Sequence, residues 1–102
     1  MIELHVTYAD GAEARRLARA VVEARHAACA NIVENVSSIY RWEGAIEEET
    51  ETLVIFKTSE ARAAAAEAFI AENHPYDVPA IIRHTAVEVN DDYARWVEEE
   101  TA

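Results

Sequence analysis

Glycine and proline are scarce in this 102-residue chain, with two of each, and there is one cysteine and one lysine. Two glycines, Gly11 and Gly44, cannot build the glycine-rich loops that let a backbone close around phosphates, so the dinucleotide fingerprint and the Walker loop are both excluded. A lone Cys29 cannot form an internal disulfide and fits a reducing compartment, so the expected location is the cytoplasm. No apolar run approaches the roughly 20 residues that span a bilayer, and Met1-Ile2-Glu3-Leu4-His5 does not open an export signal. Basic residues are also few. Nine Lys and Arg stand against twenty Asp and Glu, a net charge of -11 that repels nucleic acid and anionic membranes.

Half of the chain is hydrophobic (51%), enough for one core at this length, and residues 1–102 read as a single domain. Ile2, Leu4, Val6 and Tyr8 alternate with polar residues, the period of a strand with one buried face. Asp10-Gly11 turns the chain into a helix over about 11–25, with Glu13 placed to complete an N-terminal cap and Ala14, Leu17, Ala18, Val21 and Val22 on one stripe. A long strand from Cys29 to Trp42, broken near Glu34-Asn35, leads to a hairpin tip at Glu43-Gly44. The return strand, Ala45 to about Thr58, contains the run Leu53-Val54-Ile55-Phe56, which is apolar on both faces. An alanine-rich helix over 60–73 ends before His74-Pro75, since the residue preceding proline is driven out of the helical region. A last strand is expected from Ala80 to about Val89, then a helix capped by Asn90 and running through Val97.

This order predicts an α+β fold, a ferredoxin-like split βαβ sandwich with an extra C-terminal helix. Two crossover helices cover one face of such a sheet. The apolar groups left over, including Val36, Ile39, Tyr40 and Trp42, then require self-association through the hairpin and the second face. Tyr40 and Trp42 are the expected interface anchors.

Several side chains could carry chemistry. His74, at a helix end, can ligate a metal or satisfy the last helix carbonyls. His26 and Cys29 have ligand-like spacing but straddle a change from helix to strand, so a packed thiol is the plainer role for Cys29. Glu47, Glu49 and Glu51 share a strand face, with Glu48 opposite and Glu43 at the tip. Neighbours on such a face stand about 7 Å apart, which suits a solvated or arginine-paired edge better than chelation of one hard cation. Lys57 is placed to pair with a carboxylate across a subunit boundary. Arg15, Arg16 and Arg19 form the one dense basic group, the feature an anion-binding site would use. No nucleophile with an adjacent base can be argued from these positions, so an enzyme is not expected.

The segments His26-Ala27-Ala28-Cys29-Ala30-Asn31-Ile32, Ser38-Ile39-Tyr40-Arg41-Trp42-Glu43-Gly44, Glu51 through Thr58, His74-Pro75-Tyr76-Asp77-Val78-Pro79 and Tyr93-Ala94-Arg95-Trp96 together resemble the CutA family of divalent-cation tolerance proteins, in order over nearly the whole chain. The resemblance implies a cytoplasmic homotrimer, related in architecture to the PII signalling proteins and linked to tolerance of copper and other divalent cations, with no required cofactor. A PII-like trimer that binds an anionic small ligand in clefts between subunits is the alternative. The family often has Pro-Gly where this chain has Glu34-Asn35 and a glutamate where it has Ala80. A metal site proposed in some members uses a cysteine and paired histidines at positions that here are Val6, Asn73 and His74, so His74 is the one ligand of that set retained.

Overall fold

A computed structural model describes residues 1–86 and 88–102. Four strands and three helices alternate as β1 (Ile2–Tyr8), α1 (Gly11–Glu23), β2 (Cys29–Trp42), β3 (Ala45–Thr58), α2 (Glu60–Asn73), β4 (Ile81–Thr85) and α3 (Asp91–Glu100). The sheet order is β2-β3-β1-β4 and every neighbouring pair is antiparallel. Each crossover, β1-α1-β2 and β3-α2-β4, therefore skips one strand, which is the split βαβ topology expected from the sequence.

The alternation along β1 sends Ile2, Leu4, Val6 and Tyr8 under the helices, where they meet Val54 and Phe56 of β3, Leu17 and Val21 of α1 and Ile70 of α2. Leu4, Val6, Val54 and Phe56 are wholly excluded from solvent, and each such large side chain contributes roughly 1.5–3 kcal/mol by burial. The alanines of α2, among them Ala63 and Ala66, let that helix approach closely.

The opposite sheet face is not covered by α1 or α2, and α3 meets it only where Tyr93 approaches Cys29. It holds the row Cys29, Lys57, Glu3, His84, the row Asn31, Ile55, His5, Ile82 and the row Val33, Leu53, Thr7, as the strand register dictates. Beyond Tyr8, which pairs with Thr52, β1 offers nothing more, and residues 36–51 project as a two-stranded arm that lengthens the molecule to 44 Å.

Local details refine the expectations. Asp10 accepts a hydrogen bond from the Ala12 N–H at 3.0 Å, whereas Glu13 turns to Arg16 and does not complete a capping box. Helix α1 stops at Glu23, two residues early, because Arg25 takes a left-handed conformation at φ 61° that ends the helix without a glycine. The strand break lies at the expected place. Between Val33 and Val36 β2 advances three residues while β3 advances two, and Asn35 sits at φ 60° in the resulting bulge. Strand β4 ends at Thr85, short of Val89, because its partner β1 begins at Ile2; the Ala86 N–H bonds the Met1 carbonyl, and Val87 lies outside the described residues. Asn90 stands at the start of α3 but makes no side-chain cap, and the helix extends past Val97 to Glu100, where the Thr101 hydroxyl donates to the Val97 carbonyl and lies 3.0 Å from the Ser59 Oγ.

Candidate functional site

Pro75 breaks α2 and swings the following loop against the base of the arm, carrying His74 into the protein. The His74 ring is buried, stacks on Tyr8 at 4.4 Å and lies 2.8 Å from the Thr7 carbonyl through Nε2. A carbonyl can only accept, so Nε2 carries the proton. The Tyr76 N–H donates to Nδ1 at 3.0 Å. Both nitrogens are thus spent on the protein, which leaves no lone pair for a cation. His74, the metal ligand expected from the sequence, serves in this geometry as a clip joining the loop to β1. The alternative role fails too, for the carbonyl it satisfies belongs to β1 and not to α2.

Tyr76, placed by that clip, donates its hydroxyl to Glu51 Oε2 at 2.8 Å. Tyr40 interacts with Glu49 on the same face of the arm. Burial and the Glu51 carboxylate both push the Tyr76 phenol upward, and partial burial followed by Glu49 does the same for Tyr40. Glu47, Glu49 and Glu51 share one face as expected, but the partners of Glu49 and Glu51 are tyrosines, not arginines. Nearby, the Tyr8 hydroxyl is buried without a hydrogen-bond partner among the described residues, and burial, reinforced by Glu13, raises its pKa from 10.0 to about 12.

The other candidates separate. The His26 ring lies against Phe69 of α2 at 5.0 Å, while Cys29 Sγ is 3.8 Å from Asn31 Oδ1 on β2, so the two do not share a direction. Tyr93 reaches the same region, its phenol raised to about 12 by burial and by Cys29. Lys57 donates to Asn31 Oδ1 within its own chain. Each arginine of the basic group on α1 already faces a carboxylate: Arg15 with Glu34, Arg16 with Glu13 and Arg19 with Glu23. The Arg16 bond holds Glu13 below the usual carboxylate range. Neutralised in this way, the group offers an anionic ligand little field, and the PII-like alternative loses its one supporting feature. Among the described residues no three His, Cys, Asp or Glu side chains are grouped so as to hold a metal ion as they stand.

What does stand unsatisfied is surface. Ile39, Ile46 and Trp42 of the arm are 68%, 62% and 49% exposed, and Tyr40, Val33 and Ile82 are exposed as well. The fourteen residues of β2 form an outer edge of the sheet with no strand beyond them. Long unguarded edges invite another chain.

These features define a small ferredoxin-like α+β protein with one helix-covered face and a protruding hairpin. Residues 2–100 match the family model described as CutA1 divalent ion tolerance protein, and the chain belongs to that family. It is 43% identical over 101 residues to the divalent-cation tolerance protein CutA of Pyrococcus horikoshii, covering 99% of this chain and 98% of the relative. Protein CutA of Mus musculus is 40% identical over 96 residues, and there the chain spans about half the length of the relative (54%), covering 94% of its own. The crystal structure of CutA1 from Pyrococcus horikoshii superposes with a TM-score of 0.94 at 42% identity, covering 100% of this chain and 99% of that one. The divalent cation tolerance protein from Thermus thermophilus gives 0.94 at 38% identity with both chains fully covered. No helix is long and apolar enough to cross a membrane among the described residues.

Proposed function

We propose that this chain works as a non-catalytic homotrimer in divalent-cation tolerance in the cytoplasm, making weak contacts to copper or another divalent cation. The names of its relatives supply the process, and the observation that carries the assembly is the arm. Its apolar side chains and the free edge of β2 are more than a lone subunit tolerates in water, and a second copy of the same chain is the partner always available. Tyr40 and Trp42 anchor the contact, because large aromatic groups near the centre of an interface carry most of its energy. The cation contact is not assigned to His74. Replacing Tyr40 and Trp42 together by alanine is expected to lower the mass seen by light scattering from three chains towards one. An unchanged mass removes these residues from the interface.

A further inference from the structure

The His74 clip closes within one chain, against the core side chain of Tyr8, and does not depend on the proposed assembly. It also holds a short segment nearly alone. Pro75 and Pro79 lack an N–H, and among the described residues the hydrogen bonds that tether residues 75–80 are made by Tyr76, its N–H to His74 Nδ1 at 3.0 Å and its hydroxyl to Glu51 at 2.8 Å. Pro75, Asp77, Val78 and Ala80 are exposed, so this stretch can move while the strands stay in place.

An imidazole nitrogen that accepts a bond from a backbone N–H can do so only while the ring is neutral. A proton added at Nδ1 meets the Tyr76 N–H across 3.0 Å, and two donors cannot bond. We propose that His74 is an acid-operated latch whose imidazolium stays on β1 and releases residues 75–80. The Thr7 carbonyl accepts from Nε2–H in either charge state, and more strongly from the cation. Tyr8, stacked on the ring at 4.4 Å with the planes 16° apart, also favours a cation over its face. Turning the ring over offers no escape, because it presents carbon to the Thr7 carbonyl. The bond that gives way is therefore the one to Tyr76.

The groups around the ring leave His74 as the switch. From β1 and the loop come the Tyr8 and Tyr76 phenols, both pushed upward chiefly by burial, so neither ionises between acid and neutral pH. Helix α1 contributes Glu13, whose charge reaches the Tyr8 phenol but which is bonded to Arg16 and held below the usual carboxylate range. Strand β3 contributes Glu51, which reaches the ring through the Tyr76 hydroxyl. Glu72 of α2 and Asp77 of the loop are exposed. Among the described residues no carboxylate pairs with the imidazole, so a proton on Nδ1 finds no replacement acceptor in place. The Tyr76–Glu51 bond opposes release and sets how acidic the medium must be.

The test is NMR of the full chain at about pH 7.5 and about pH 4.5, a span that brackets an ordinary imidazole. It reads the His74 ring nitrogens and the hydrogen-exchange protection of the Tyr76 amide, taken relative to the intrinsic exchange rate at each pH. At the higher pH the proton is expected on Nε2 with the Tyr76 amide protected. At the lower pH the ring is expected as imidazolium and the Tyr76 protection to fall by about tenfold or more, while core amides of β1 and β3 keep theirs. His74→Gln cannot titrate, and its Tyr76 protection is expected to agree within about twofold at the two pH values. Tyr76→Phe keeps the latch but loses the Glu51 bond, so it is expected to release at a higher pH than the parent. A ring still neutral at the lower pH, or an imidazolium that leaves the Tyr76 amide protected, overturns the latch. The same acid loss in His74→Gln overturns it by assigning the release to Glu51, and core amides that lose protection in step with Tyr76 overturn it by showing that the whole chain unfolds.

Discussion

The sheet has two ends that obey different rules. At the helix-covered end, Leu4, Val6, Val54 and Phe56 are sealed from water and each apolar position is accounted for within one chain. At the other end, residues 36–51 extend with no third strand and no helix, and Ile39, Trp42 and Ile46 remain in solvent. A local stretch of sequence looks equally strand-like in both. What differs is where the partner comes from: within the chain for the body and, in the proposed assembly, from further copies for the arm.

That contrast can be broken from either side, and the largest effect belongs to the body. Phe56→Ala opens a cavity at a fully enclosed position and is expected to cost about 3–5 kcal/mol, read as a lower denaturant midpoint. A loss below about 1 kcal/mol would mean that the core collapses around the gap. His74→Ala removes a stacked ring, strands the Thr7 carbonyl and unclips the loop that positions Tyr76. About 1–3 kcal/mol is expected from the unsatisfied group, again by denaturant unfolding, and an unaltered midpoint would show that the clip is dispensable.

Tyr8→Phe runs the other way. It deletes a buried hydroxyl without a partner, so a gain of about 1 kcal/mol is expected. The same variant tests a pH dependence. Because the Tyr8 phenol is raised from 10.0 to about 12, the unfolded chain releases its proton first; its contribution is fully present below pH 10 and is lost as pH rises towards 12. The alkaline decline in melting temperature should be shallower in Tyr8→Phe, and an identical decline would exclude Tyr8 as its source. The smallest effect is expected in the arm. Asn35 occupies a left-handed conformation in the bulge, and Asn35→Gly is expected to gain a few tenths of a kcal/mol, with a loss arguing that the asparagine side chain holds the bulge.

Much of the fold was legible because its elements announce themselves locally. The alternation in β1, the apolar stripe of α1, the Glu43-Gly44 tip and the break before Pro75 all lie where pattern and turn chemistry put them. The errors fall where the deciding partner is far away in the chain. Strand β4 stops at Thr85 because β1 starts at Ile2, and α3 runs on to Glu100 because Thr101 finds Ser59, forty-two residues earlier. The site was less legible. His74 looked available beside a proline, but its ring is consumed by Thr7 and Tyr76, and only the folded backbone brings those atoms together.

The central claim is that the helix-free face and the arm are covered by further copies of the chain. Sedimentation equilibrium of the unmodified protein, taken to high dilution, tests it most directly. The expected result is a particle of three times the 11.4 kDa chain that persists until unfolding begins. A folded, cooperatively melting single chain at low concentration would contradict it.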